Sequence, residues 1–378
     1  MKIGFVYDDS LDRPDGVTQY VLRVGEWLSA EGHEVHYLVG QTERTDIPNV
    51  HSLSRNFKVR FNGNRLTVPL PASGKRIRQL LTREQFDVLH VQVPYSPLMA
   101  GKVIKAAPPT TAVVGTFHIA PHSGLVSVAT RLLALWSRSS LKRFNHLVSV
   151  STAASDFAHK TYGVSTPVLP NVVDYQYFAA GKPLKQYDDN KLTILFLGRL
   201  VARKGCLTLL QAVAALRARN AALPPFRVVV CGGGPLDAQL KEYVAGHALQ
   251  EVVEFAGRIS EEDKPHYYAS ADIAAFPSSG GESFGIVLIE AMSNGRTAVL
   301  GGDNPGYHTV LGGNPSLLFE PTNTTQLADK LERLLTDSQE RARAAEWGQH
   351  EAEQYDIRRV GQKLVAMYKQ FAPNSRNG

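Results

Sequence analysis

Short apolar runs that alternate with segments of helical periodicity constrain the fold of this chain more than any other feature. In the first half the runs are, in order, KIGFVYD, VHYLVG, FDVLHVQ, AVVGTF and HLVSVS. Each contains β-branched residues and is followed by a loop or a helical segment, which is the pattern of a β-α-β unit. Alternation of this kind predicts a parallel, doubly wound α/β sheet.

The same alternation restarts after an aperiodic segment, LPNVVDYQYFAAGKPLKQYDDNK, which collects proline, glycine and charged residues. A second series of runs then extends from LTILFLGR to SLLFE. A chain of 378 residues exceeds the size at which one hydrophobic core keeps growing. We therefore predict two Rossmann-like domains, residues 1–172 and 173–354, with a cleft where the carboxyl ends of their sheets meet.

Composition excludes several classes of protein. A charged fraction of 20% and an apolar fraction of 43% are those of a globular chain, not of a disordered or collagen-like one. Two cysteines, Cys206 and Cys231, cannot form a disulfide framework, and their apolar surroundings predict buried, reduced thiols in a cytosolic protein. No run approaches the roughly 18 apolar residues of a spanning helix, and the first residues lack the pattern of a signal peptide. We expect a protein that is neither membrane-spanning nor exported by that route.

Basic residues are concentrated in the first half of the chain. Residues 1–170 hold 19 Lys and Arg against 12 Asp and Glu, whereas residues 171–378 hold 22 against 23. Between His51 and Arg83 there are eight basic residues and no acidic one. Such a field attracts an anionic lipid surface, a phosphorylated substrate or nucleic acid, and a solvated face without a partner is the alternative. Aromatic residues are not interleaved with the charges, which argues against nucleic acid.

The segment GGESFGIVLIE, residues 280–290, is the strongest candidate for a binding site. Its three glycines let the backbone approach a ligand, and the unpaired amides of a helix that begins around Phe284 suit a diphosphate. Glu282 would precede this helix and Glu290 would lie two turns into it, so that both can border one cleft and bind sugar or ribose hydroxyls. The alternative is an acidic first turn stabilised by the helix dipole.

Three further segments carry weaker signals. In FLGRLVARKG, Arg199 and Lys204 lie beside a helix start, where two cations suit a departing nucleoside diphosphate, while Arg203 can simply face solvent. Gly16 in PDGVTQY could present backbone amides to the same diphosphate, or could only form a turn. His118 ends a strand in GTFH, where a ligand contact and a structural hydrogen bond are both open. The sequence lacks a P-loop, an H-E-x-x-H motif and a complete dinucleotide fingerprint.

The motifs PDGV, GTFH, FLGR, RKG, CGGGP, FAGRI and GGESFGIVLIEAM occur in this order over nearly the whole chain. In this combination the chain resembles retaining glycosyltransferases of the GT-B fold, and among them the bacterial phosphatidylinositol mannosyltransferases. The resemblance implies an enzyme that transfers a hexose to a membrane lipid such as phosphatidylinositol. The hexose would be mannose, the donor would be GDP-mannose, and the anomeric configuration would be retained. It also implies a cytoplasmic protein, peripheral on the inner face of the cell membrane, that needs no metal or other cofactor because two cations take that role.

The resemblance further implies a role for individual residues. The catalytic residues would be His118, Arg199, Lys204 and Glu282. The donor-binding residues would be Gly16, Arg199, Lys204, Ile259, Lys264, Glu282, Ser283, Phe284, Gly285, Ile286 and Glu290. The acceptor-binding residues would be Gln19, Asn62 and Gly63. Residues after about 355 would return to the first, acceptor-binding domain, and residues 173–354 would bind the donor.

Two helical segments of the first domain could lie on an anionic bilayer. PASGKRIRQLLTREQF sets Ile77, Leu80 and Leu81 beside four cations, and GLVSVATRLLALWSRSSLKRF has a similar pattern. The cations proposed to meet the membrane are Lys75, Arg76, Arg78 and Arg83. The alternative for each helix is that its apolar side belongs to the core of the domain.

Two other functions remain open. One is a glycosyltransferase that uses another nucleotide sugar and a soluble or polysaccharide acceptor. The other is an inactive nucleotide-sugar-binding subunit. The presence of Arg199, Lys204, Glu282 and Glu290 argues against the inactive subunit, because a relic would be free to lose the cations that a leaving group needs.

Overall fold

The computed structural model describes residues 1–12, 15–61, 64–69, 72–118, 134, 137, 139–219 and 222–372, with the backbone alone described at 56–61 and 64–69. The chain forms two compact units. The first comprises Met1–Val172 together with Ile357–Gly378, and the second comprises Val173–Asp356.

The described part of the first unit contains a six-stranded sheet in the order β3-β2-β1-β6-β7-β8, together with the antiparallel pair β4-β5. All pairings in the larger sheet are parallel. The bounds are β1 Lys2–Tyr7, β2 Glu34–Val39, β3 Val50–Ser52, β4 Asn56–Phe61, β5 Asn64–Pro69, β6 Val88–Gln92, β7 Ala112–Phe117 and β8 His146–Ser149. The strand order reverses between β1 and β6, and ligands of doubly wound sheets bind beyond the carboxyl ends of strands at such a point.

The helices of the first unit cover both faces of the sheet, which explains why its strands are apolar throughout. Their bounds are Gly16–Ala30, Gly74–Glu84, Met99–Ala106, Thr152–Phe157 and Ile357–Phe371, with a π-helical turn at Ala158–Tyr162. Helix Gly16–Ala30 begins where it does because the Asp15 carboxylate accepts hydrogen bonds from the amides of Val17 and Thr18. It ends just before Gly32, which has a φ of 81°.

The helix Ile357–Phe371 packs against helix Gly16–Ala30 and completes the core of the first unit. Its buried residues Val360, Leu364 and Tyr368 belong to the same apolar cluster as Val24 and Leu28. At Gly361 the two helices approach so closely that a Cβ atom would lie 2.4 Å from a ring carbon of Trp27. The last described helix of the chain is therefore an integral part of the first unit.

In the described part of the second unit six parallel strands lie in the order β11-β10-β9-β12-β13-β14. Their bounds are β9 Leu192–Leu197, β10 Phe226–Cys231, β11 Val253–Gly257, β12 Ile273–Phe276, β13 Ala298–Gly302 and β14 Leu318–Phe319. The α-helices are Tyr175–Ala179, Cys206–Arg219, Asp237–Gly246, Lys264–Ala269, Ile286–Met292, Pro305–Leu311, Thr324–Thr336 and Ser338–Ala352. Short 3₁₀ turns occur at Lys185–Tyr187, Ala202–Lys204, Pro315–Leu317 and Glu353–Tyr355. The strand order of this sheet reverses between β9 and β12.

The predicted α/β class with two doubly wound parallel sheets is confirmed, and both cysteines are buried and free. The alternation of runs did not reveal β3 or the β4-β5 pair. β3 has three residues, too few to show a period. The β4-β5 pair lies in the basic segment that we interpreted only as a charge cluster, although Asn62-Gly63 between alternating residues is a hairpin signal.

Helix Gly74–Glu84 was predicted to lie on a bilayer as an amphipathic helix. For its apolar side this prediction is wrong. Ile77, Leu80 and Leu81 are buried in the core of the first unit. This face therefore cannot also insert into a bilayer. The cations of the helix, by contrast, are all exposed: Lys75, Arg76, Arg78 and Arg83.

The second segment predicted to meet the membrane, residues 124–144, lies largely outside the described residues. Among its described residues, Ala134, Ser137, Ser140 and Leu141 are buried, whereas Ser139 and Lys142 are exposed. Among the described residues, none of the helices combines the length and apolar character needed to cross a membrane.

Candidate active site

The candidate site of the second unit lies beyond the carboxyl ends of β9 and β12, the strands between which the sheet order reverses. β9 leads into Gly198, Arg199 and the turn Ala202–Lys204. β12 leads into the glycine-rich segment before helix Ile286–Met292. Because neighbouring parallel strands end at the same edge, the two loops that carried sequence signals are brought together there.

These two loops are in direct contact. At Gly205, which has a φ of 72°, a Cβ atom would lie 2.0 Å from the carbonyl oxygen of Pro277, so a side chain does not fit. The carbonyl oxygen of Arg203 accepts hydrogen bonds from the Ser279 amide at 2.9 Å and the Ser278 hydroxyl at 3.1 Å. The loop after β9 is thereby fixed against the segment that precedes Glu282.

The Glu282 carboxylate is the centre of this contact. Its Oε1 lies 2.6 Å from Nη1 of Arg203, 2.8 Å from Nζ of Lys204 and 2.8 Å from Oγ of Ser278. Burial, the largest influence, acts to raise the pKa of Glu282, but the charges of Lys204 and Arg203 and the hydrogen bonds from Lys204 and Ser278 together lower it. The carboxylate is therefore ionised at neutral pH.

The sequence leaves open that Arg203 simply faces solvent, but the structure shows that it does not. Its side chain is 33% exposed and is held by the ion pair with Glu282. Arg199 lies two residues after the end of β9 and is exposed. The loop therefore places Arg203 and Lys204 on the carboxylate, with Arg199 preceding them at the end of the strand.

The helix after the glycine-rich segment begins at Ile286, two residues later than predicted. Phe284 is buried and meets the ring of Tyr355 edge-on at 5.3 Å, so that it belongs to the core and not to the helix. Gly285 precedes the helix with a φ of 107°, and a Cβ atom there would lie 2.7 Å from Tyr307. Glu290 consequently lies about one turn into the helix, not two.

Glu290 forms a second buried group. It is 1% exposed, and its Oε2 accepts a hydrogen bond from the Tyr268 hydroxyl at 3.1 Å. Nζ of Lys264 lies 3.6 Å from Oε1 of Glu290 and 2.8 Å from Oε2 of Glu261. The structure thus joins Lys264 and Glu290, which the sequence had assigned separately to the base and the ribose. Ile259, the other predicted neighbour of the base, is half-buried just after β11.

His118 occupies the corresponding edge of the first sheet, directly after β7. Its Nε2 lies 2.6 Å from the amide oxygen of Gln92 and therefore donates a hydrogen bond to it. The ring meets Tyr20 edge-on at 5.0 Å. Burial lowers the pKa of His118 to about 3, so the imidazole is neutral at physiological pH.

The other residues of the first unit that were predicted to bind a substrate lie at the start of helix Gly16–Ala30 or outside the described residues. Gly16 is the first residue of the helix and is exposed, and Gln19 follows within the first turn. The amides of Val17 and Thr18 are bonded to the Asp15 carboxylate, so these two amides are not open to a diphosphate in this conformation. Asn62 and Gly63 lie outside the described residues.

Sequence reasoning missed four residues that fix the site side chains. Ser278 and Arg203 bind Glu282, Tyr268 binds Glu290, and Gln92 binds His118. Of these, Arg203 was next to a predicted residue in the sequence. Ser278 lies only four residues before Glu282 but outside the segment that carried the signal. Tyr268 and Gln92 lie 22 and 26 positions from the side chains they bind, and no local motif marks them.

The site combines two cations, Arg203 and Lys204, with the ionised carboxylate of Glu282 in the glycine-rich segment before a helix. The cations and the helix amides can bind a phosphate, and the carboxylate can bind a sugar hydroxyl. Residues 182–351 match the family model described as Glycosyl transferases group 1, and residues 14–177 match Glycosyltransferase Family 4. The crystal structure of a glycosyltransferase from Rickettsia africae ESF-5 has the same fold, with a TM-score of 0.78 and 20% identity over 99% of this chain and 100% of that one. Anabaena HepE in complex with UDP gives a TM-score of 0.77 and 19% identity over 98% of this chain and 100% of that one. The fold and the matching family models therefore define a glycosyltransferase of the GT-B fold.

A comparison of whole sequences narrows this class. The chain is 31% identical to the phosphatidyl-myo-inositol mannosyltransferase of Mycolicibacterium smegmatis, over 98% of this chain and 94% of that protein. The chain belongs to the family of the bacterial phosphatidyl-myo-inositol mannosyltransferases.

Proposed function

We propose that this enzyme transfers a mannosyl residue from GDP-mannose, with retention of anomeric configuration, to a membrane lipid with a phosphatidylinositol head group. The observation that carries the proposal is the group of Arg203, Lys204 and Ser278 around the ionised Glu282. It occurs in a chain whose mycolicibacterial relative, similar over nearly the full length, is named for mannosyl transfer to this lipid.

In this proposal the donor lies against the loops after β9 and β12. Arg199 and Lys204 bind the diphosphate, and the amides at Ser283, Gly285 and Ile286 add neutral hydrogen bonds. Glu282 binds hydroxyls of the sugar, and Glu290 binds those of the ribose. The base lies against Ile259 and Lys264.

The chemistry follows from the charge that develops during transfer. As the bond from the anomeric carbon to the phosphate oxygen breaks, negative charge grows on the departing diphosphate, and the cations Arg199 and Lys204 stabilise it. The acceptor hydroxyl attacks the anomeric carbon on the same face from which the diphosphate leaves, and this retains the configuration. The hydroxyl gives its proton to an oxygen of the departing phosphate. We propose that no metal or cofactor is needed, because these two side chains supply the positive charge.

The low pKa of His118 limits the role that this residue can have in the reaction. A histidine whose pKa lies near 3 is too weakly basic to remove a proton at neutral pH. Its Nε2–H is already bonded to Gln92, which leaves Nδ1 as a hydrogen-bond acceptor. We therefore assign His118 to the orientation of the sugar and not to general-base catalysis.

We propose that the enzyme reaches its lipid acceptor by binding peripherally to the inner face of the cell membrane. Helix Gly74–Glu84 exposes Lys75, Arg76 and Arg78, while Arg83 pairs with Glu84. Each cation near an anionic surface contributes about 1 kcal/mol. Because the apolar face of this helix lies in the core, the attraction is electrostatic and should weaken with salt.

A panel of nucleotide sugars tests the donor. GDP-mannose should raise the melting temperature of the enzyme and be hydrolysed slowly without acceptor, whereas UDP-glucose and UDP-galactose should do so weakly. Stabilisation by GDP-mannose without hydrolysis or transfer would favour the inactive binding subunit. If none of the nucleotide sugars stabilised the protein, the donor assignment would fail.

A further inference from the structure

The Glu282 carboxylate is held by one oxygen. The three contacts from Arg203, Lys204 and Ser278, at 2.6, 2.8 and 2.8 Å, all fall on Oε1. A carboxylate oxygen offers about two lone pairs, so three donors saturate it. A sugar hydroxyl that binds Glu282 therefore has to bind Oε2.

Lys204 has to serve two partners during the reaction. It pairs with Glu282 in this structure, and the proposed function assigns it to the donor diphosphate. A diphosphate carries more negative charge than a carboxylate and attracts the ammonium group more strongly. When Lys204 turns to the diphosphate, Arg203 is the cation that stays on Oε1.

Arg203 is attached to the segment before Glu282 by both its main chain and its side chain. Its carbonyl oxygen accepts hydrogen bonds from Ser278 and Ser279. Its Nη1 lies 3.5 Å from the carbonyl oxygen of Gly280 as well as 2.6 Å from Glu282. Both contacts are made by Nη1, whose two N–H groups lie in the fixed plane of the guanidinium, whereas the N–H groups of an ammonium group rotate freely and are not directed in advance.

We propose that Arg203 is a positioning residue that keeps Glu282 oriented and ionised while Lys204 exchanges from Glu282 to the donor diphosphate. This inference rests on the proposed function of the site. It separates the two neighbouring cations: Lys204 binds the donor, and Arg203 acts on it only through Glu282.

The charged and titratable groups around Glu282 are consistent with this division. Lys204 and Arg203 face it from the turn after β9, and Tyr307 faces it from helix Pro305–Leu311. Burial, and after it the charge of Glu282, holds the pKa of Tyr307 well above its usual range, so the phenol stays neutral. With Lys204 on the diphosphate, the ionised state of Glu282 depends on Arg203.

The test compares R203Q, R203K and K204A, with R343Q as the control because Arg343 is exposed on helix Ser338–Ala352. R203Q should lower kcat about tenfold or more. It should also move the acidic limb of the pH–rate profile up by about one pH unit. R203K should leave the acidic limb in place and still lower kcat, because an ammonium group keeps the positive charge but lacks the fixed plane that directs the two N–H groups of Nη1. R343Q should match the wild type.

Binding of GDP, which has a diphosphate but no sugar, provides the second readout. R203Q should bind GDP as the wild type does, whereas K204A should bind it much more weakly. The inference is overturned if R203Q loses GDP affinity as K204A does, or if its acidic limb does not move. If R203Q does not fold, as judged by circular dichroism, a wild-type kcat for R203K overturns it instead. A wild-type enzyme that turns over no nucleotide sugar contradicts the proposed function itself.

Discussion

The hydroxyl of Tyr368 lies 2.6 Å from Nδ1 of His90, a residue 278 positions earlier in the chain. On the other side of the ring, Nε2 of His90 lies 2.7 Å from Oγ1 of Thr116. In the tautomer with the proton on Nε2, Tyr368 donates to Nδ1 and Nε2 donates to Thr116. The contact ties helix Ile357–Phe371 to the centre of the first sheet.

Replacement of Tyr368 by Phe tests this tie. Because Tyr368 and His90 are fully buried, Y368F leaves a ring nitrogen without a partner, and we expect a loss of about 1–3 kcal/mol in the free energy of unfolding. Urea unfolding followed by circular dichroism measures it. Y177F is the control: it also removes a hydroxyl that donates a hydrogen bond, at 3.2 Å to the carbonyl oxygen of Glu261, but this bond is exposed and water can replace it. Equal stability of Y368F and the wild type would show that the hydrogen bond does not hold the helix.

Acid should destabilise the first unit through His90 and His118. Burial, with a further effect of His118 on His90, lowers the pKa of each from 6.5 to about 3. Between these values the unfolded chain binds protons that the folded chain does not, so stability is present above pH 6.5 and is lost as the pH falls. The loss should be about 1.4 kcal/mol per pH unit for each histidine.

The variant H118Q isolates one of these groups. Its free energy of unfolding, measured by urea at several pH values between 6.5 and 4.5, should fall less steeply with acid than that of the wild type. An H350Q variant, on the second unit, is the control and should keep the wild-type slope. A wild-type slope in H118Q would mean that the pKa of His118 is not lowered by folding, so that this histidine binds protons equally well in the folded and unfolded states.

Lys204 should matter far more for turnover than for folding. K204A removes a cation from the leaving group, and we expect kcat to fall about 10²- to 10³-fold. K241A is a matched control, because Lys241 pairs with Asp237 on an exposed helix. Steady-state release of GDP measures the effect. A wild-type kcat in K204A would show that Lys204 does not stabilise the departing diphosphate.

The exposed cations of helix Gly74–Glu84 should determine membrane attachment. The triple variant K75Q/R76Q/R78Q should sediment with anionic vesicles much less than the wild type, and salt should release the wild type from them. A variant of three exposed lysines in the second unit, K182Q/K185Q/K191Q, is the control for net charge. Hydrolysis of the soluble donor should be unchanged in both. Equal loss of vesicle binding in the two variants would rule out a specific role for the helix.

Much of the fold could be predicted because each buried parallel strand is an apolar run that is readable locally. The helix start at Ile286 could not, because the burial of Phe284 against Tyr355 is a tertiary contact. The same reason applies to the site. Glu282 and Lys204 stand out by their motifs, but the bond from Arg203 to Glu282 joins residues 79 positions apart. Likewise, the core side of helix Gly74–Glu84 has the same pattern as a membrane-facing side.

The most direct test of the account is the transfer reaction itself. The enzyme is incubated with GDP-mannose labelled in the sugar and with vesicles that contain phosphatidylinositol, and the label in the lipid extract is measured and its anomeric configuration determined by NMR. We predict label in a mannosylated phosphatidylinositol with the α configuration of the donor, and about 10²- to 10³-fold slower labelling with K204A. Label that stays in the aqueous phase while the donor is consumed, or a product of inverted configuration, would contradict the account.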